Sequence, residues 1–89
     1  MTPKVLTVDE IRDLPRLSII WVELFDGETQ KADPKILAAM KCYDGTFVDE
    51  DACIFDDFEK DMKPGFDGSV WRFWDALPTP EQRKAVPWK

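Results

Sequence analysis

Residues 17–25 read LSIIWVELF. Three β-branched and two aromatic side chains within nine residues favour extended backbone, because such side chains pack well on a pleated surface. Alternate residues of a strand point to opposite faces, so Ile20, Val22 and Leu24 share one side and Ile19, Trp21 and Glu23 the other. The first side calls for burial, and the second is apolar enough to be partly covered. The rest of the chain therefore has to supply partner strands and a cover.

With 89 residues there is room for one domain, residues 1–89, with one modest core that buries roughly 60–65% of the surface exposed by the unfolded chain. Cap and turn signals divide it. Thr7 and Glu10 form a capping box ahead of Val8, Ile11 and Leu14, which predicts a helix over 7–14 that Pro15 stops. DGETQKADP, 26–34, is polar and turn-forming, hence a surface loop. Asp44-Gly45 between the β-formers CY and TFV predicts a type I′ hairpin with Cys42 roughly opposite Phe47; a helical turn at 34–39 competes with the first of its strands. Phe55, Phe58 and Met62 recur at helical spacing, predicting a helix over 55–62 that ends at Lys63-Pro64-Gly65. SVWRFWDAL, 69–77, reads as a closing strand. Thr79, Pro80 and Gln82 then make a second capping box for a helix over 80–85. The expected fold is α+β: a small twisted antiparallel sheet of about four strands, open or closed like an SH3-type barrel, flanked by short helices.

Charge is distributed unevenly. Between Asp44 and Asp67 nine acids face only Lys60 and Lys63, whereas the remainder of the chain is close to neutral; the net −6 thus originates in one segment. Such a surface repels nucleic-acid phosphates and attracts a basic protein. No run approaches the roughly 20 apolar residues of a membrane helix, and the first fifteen residues carry acids where a leader would be apolar. A cytoplasmic protein is expected.

Candidate chemistry is narrowed by what is missing. Histidine is absent, which excludes Ser-His-Asp and Cys-His catalysis. A calcium loop counted from Asp49 places Ile54 at the sixth position and Lys60 at the twelfth, where glycine and glutamate are needed. Cys42 and Cys53 with Asp44 and Asp49 or Asp51 would be an unusual zinc set, and their spacing matches no standard knuckle. Buried free thiols are the preferred reading. Paired carboxylates need a substrate groove that so short a chain rarely encloses. Trp21, Trp71, Phe73, Trp74 and Trp88 lack the interleaved bases of a nucleic-acid stacking platform and are assigned to the core, with Trp74 or Trp88 as an apolar contact. No cofactor and no enzyme activity are implied.

The closing stretch, WRFWDALPTPEQRKAVPW, resembles the C-terminus of small uncharacterised proteins encoded by bacterial phages and prophages: Trp-Arg-x-Trp, then Pro-Thr-x-Glu-Gln-Arg, then a final Trp. IIWVELF and YDGTFV also resemble that group. The resemblance implies a phage origin and identifies no catalytic residue. Combined with the acidic segment, it suggests a non-enzymatic inhibitor of a basic host nucleic-acid-handling protein, in its most concrete form an anti-CRISPR protein that blocks DNA loading by an RNA-guided nuclease. The expected contact residues are Asp49, Glu50, Asp51, Asp56, Asp57, Glu59, Asp61 and Trp74. Two alternatives are a structural or accessory phage protein whose acids only keep it in solution, and a small metal-stabilised domain.

Overall fold

The computed structural model describes residues 2–56 and 58–88. In chain order it contains α1 (Val8–Arg12), β1 (Ile19–Asp26), β2 (Lys31–Lys41), β3 (Phe47–Asp49), β4 (Ile54–Phe55), α2 (Phe58–Asp61), β5 (Val70–Trp74) and α3 (Pro80–Ala85). The five strands form one antiparallel sheet in the order β4-β3-β2-β1-β5. LSIIWVELF supplies β1, the strand between β2 and β5.

The sheet is curled. Laid flat, β4 and β5 would be about 19 Å apart, four strand spacings. Instead Phe55 of β4 meets Trp71 and Phe73 of β5 edge-on, with ring centroids 5.3 and 5.7 Å apart. This half-barrel encloses Ile20, Val22, Ala39, Phe47, Phe55 and Phe73, and Ile11 of α1 closes the hollow, fully buried. Both capping boxes form, at Thr7–Glu10 and Thr79–Gln82. The helix over 80–85 lies where the second box predicts it, while α1 is shorter than 7–14 because Asp13 already caps it.

Several boundaries differ from the sequence expectation. The loop expected over 26–34 shrinks to residues 27–30, and β2 starts at Lys31, running through Pro34. Proline is tolerated because the register slips between Glu23 and Phe25, so that residues 33–35 lack ladder partners. Residues 34–39 are strand, and the competing helical turn does not occur. The Asp44-Gly45 turn is wider than a type I′ hairpin: Cys42 N–H donates to the Thr46 carbonyl at 2.7 Å, and Lys41, not Cys42, pairs with Phe47. Asp44 Oδ1 stabilises the wider turn by accepting from the Thr46 amide and hydroxyl at 3.0 and 2.7 Å. The helix expected over 55–62 is a single turn, because Phe55 pairs with Phe47 as strand β4. Strand β5 ends at Trp74 rather than continuing to Leu77, and the next amide, Asp75 N–H, turns to the Lys4 carbonyl.

Candidate functional site

The convex face of the sheet is divided in two. One half carries a buried charge network. Glu23 is fully buried, yet it lies on the outward side of β1. Its Oε1 accepts from Arg72 Nε at 2.5 Å and from the Trp74 indole at 2.8 Å, and its Oε2 accepts from Arg83 Nε at 2.6 Å. Burial pushes the Glu23 carboxyl pKa up, but the bonds from Arg72, Trp74 and Arg83 outweigh it and hold the group below the ordinary carboxylate value. Arg72 continues to the carbonyls of Val86 and Arg83 at 2.9 and 3.0 Å, satisfying acceptors left open at the C-terminal end of α3. Its guanidinium also lies 3.8 Å from the Trp88 ring centroid and 5.1 Å from that of Trp74. Arg83 reaches the carbonyls of Pro34 and Asp33.

Arg72, Trp74, Arg83 and Trp88, which carry the C-terminal signature, therefore fasten α3 and the tail to the sheet. Lys41 does the same for α1 on the concave side, donating to the carbonyls of Ile11, Arg12 and Leu14 at 3.4, 2.9 and 2.7 Å. Beside the network a cleft of about 370 Å³ opens, bordered by Pro34, Pro80, Val86 and Trp88. Its acid, Glu23, and its guanidinium, Arg83, are already bonded to each other.

The acids occupy different environments. Asp49 is buried, and its Oδ1 accepts from the amides of Asp51 and Cys53, both at 2.9 Å, which closes the β3–β4 loop. Glu50 and Asp51 are exposed in that loop; Asp51 pairs with Lys35 at 3.2 Å. Asp56 is exposed at the opposite end of the β3–β4 pair, just past β4. Glu59 and Asp61 lie on α2, where Glu59 pairs with Arg12 at 2.7 Å. Asp57 lies outside the described residues. Trp74 is fully buried and takes no part in any surface.

The segment is thus not one continuous anionic face. It flanks the β3–β4 pair at both ends, with Asp49 turned inward to hold the loop between the two strands. Cys42 is partly covered and Cys53 exposed, both as free thiols, so neither is the fully buried apolar filler expected. Among the described residues no three His, Cys, Asp or Glu side chains are placed to hold an ion, and Cys42, Cys53, Asp44, Asp49 and Asp51 do not converge. No helix among them is long and apolar enough to cross a membrane.

Comparison of the chain with protein-family models, with curated proteins and with solved structures found no match.

Proposed function

We propose that this protein is a non-enzymatic binding module of phage type that inhibits a basic nucleic-acid-handling protein, in its most concrete form an anti-CRISPR protein that keeps target DNA off an RNA-guided nuclease. One observation carries this reading. Glu50 and Asp56 are exposed at the two ends of the β3–β4 pair, with no ion pair or hydrogen bond among the described residues. Asp51 and Glu59 add charge nearby through solvent-exposed ion pairs, which are worth little in water and are readily exchanged for a partner's lysine or arginine. Carboxylates displayed in this way compete with phosphates for a basic channel, and their long-range field raises the encounter rate.

The test is DNA loading on a purified, guide-bound nuclease. The wild-type chain should suppress loading, and the triple variant Glu50→Lys, Asp51→Lys, Asp56→Lys should lose at least about tenfold in potency while melting as the wild type does. Equal potency of the two proteins would sink the reading. A wild-type chain without effect would favour an accessory role in which the acids only maintain solubility.

A further inference from the structure

The other half of the convex face is uncovered, and the cross-strand register places a row of apolar side chains on it. Ile19 pairs with Met40, Met40 with Val48, and Val48 with Ile54, so one outward position on each of β1, β2, β3 and β4 falls in line. Their strand neighbours Ile20, Ala39, Phe47 and Phe55 point into the core, which leaves the row facing water. Ile19, Met40 and Ile54 are 48%, 37% and 67% exposed. The row spans three strand spacings, about 14 Å. Helix α3 and Trp88 cover Glu23 and Arg72 further along the same face.

Apolar side chains aligned across four strands leave water only against a partner. Two partners suggest themselves, a second copy of this chain or a basic protein, and charge separates them. The Ile54 end is flanked by Glu50 and Asp51 beyond β3 and by Asp56 beyond β4. The cation nearest the Ile19 end in sequence, Arg16, is turned to the Tyr43 carbonyl at 2.6 Å. Each copy of the chain carries a net charge of −6, so two copies repel one another as they approach. A basic partner meets attraction around an apolar centre, the usual arrangement of a binding surface.

We propose that this row is the docking surface for an amphipathic, lysine- or arginine-flanked α-helix of a partner protein, an inference that rests on the acidic-rim reading above and supplies its apolar centre. About ten residues of helix cover 14 Å at 1.5 Å per residue. Apolar side chains three or four residues apart recur every ~5–6 Å, close to the ~4.8 Å strand spacing, so successive anchors meet successive strands. The flanking cations then lie over Glu50, Asp51 and Asp56.

The test uses a synthetic helical peptide with leucine at i, i+3, i+4 and i+7 and lysine elsewhere, alongside a twin with glutamate in place of lysine. The lysine peptide should bind and shift the backbone amide resonances of Ile19, Met40, Val48 and Ile54, while the glutamate twin should not bind. The double variant Ile54→Ser, Met40→Ser, at exposed positions that leave the core intact, should weaken lysine-peptide binding at least about tenfold. Undiminished binding by that variant would overturn the proposal, since it would make the attraction purely electrostatic. Shifts centred on the cleft beside Trp88 would also overturn it. So would a wild-type dimer in sedimentation equilibrium that the same substitutions dissociate, because the occupant would then be a second copy. Peptide binding needs no nuclease, so a failure of this surface to bind is distinguishable from a failure of the DNA-loading test.

Discussion

Glu23 holds two guanidinium groups and an indole in place, so its replacement isolates buried positive charge. Glu23→Gln should destabilise the fold by about 3–5 kcal/mol, the usual cost of removing one partner from a buried ion pair. For a small domain stable by about 5–15 kcal/mol that is a large fraction, and urea titration would read it as a lower midpoint. The pH dependence has a definite sign. Because the folded carboxyl titrates below its unfolded value, its contribution is fully present above about pH 4.3 and disappears as pH falls through the folded pKa. Glu23→Gln should therefore flatten part of the acid limb of a stability–pH curve and leave its slope near neutrality unchanged. Alternation in LSIIWVELF assigns Glu23 correctly to the outward side, but its partners lie 49, 51 and 60 residues away. The available signal was a single acid in an apolar strand and a single arginine in WRFW, and local pattern does not join the two.

At the scale of elements, the capping boxes were legible because both halves of each box are local in sequence. Thr7→Ala and Thr79→Ala should each cost about 1 kcal/mol, measured by thermal unfolding. The turn between β1 and β2 is held differently. A Cβ on Gly27 would lie 2.0 Å from the Asp67 carbonyl oxygen and 2.5–2.6 Å from the Gly68 and Ser69 backbone. Backbone cannot swing aside as a side chain can, so Gly27→Ala should cost at least about 1–3 kcal/mol in the same experiment. Element boundaries were hardest to read where pairing at a distance decided them. Phe55 has the spacing of a helical residue relative to Phe58 and Met62, yet it becomes strand because Phe47 offers a ladder and the core offers Trp71 and Phe73. Pro34 looked like a boundary and proved compatible with a strand because the register slips opposite it. The apolar row had no sequence signature at all: Ile19, Met40, Val48 and Ile54 become neighbours only once four strands are in register.

Over the whole molecule, two short helices with few buried residues are anchored on opposite sides of a curled sheet, α1 by Lys41 and α3 by Arg72 and Arg83. That economy leaves half of the convex face open, beside the carboxylates that give the chain its negative charge. Their clustering in sequence implies one face, whereas folding turns Asp49 inward and divides Glu50, Asp51 and Asp56 between the two ends of the β3–β4 pair. A charge-steered interface also predicts a salt response, because screening over a Debye length of about 10 Å at 0.1 M removes the long-range attraction while leaving apolar contact intact. The most direct measurement is stopped-flow association of the chain with a purified, guide-bound RNA-guided nuclease at about 50 and 300 mM salt. The wild-type rate constant should fall at least about tenfold between the two, and the Glu50→Lys, Asp51→Lys, Asp56→Lys variant should associate slowly at both. A salt-independent rate, or equal rates for the two proteins, would contradict the account.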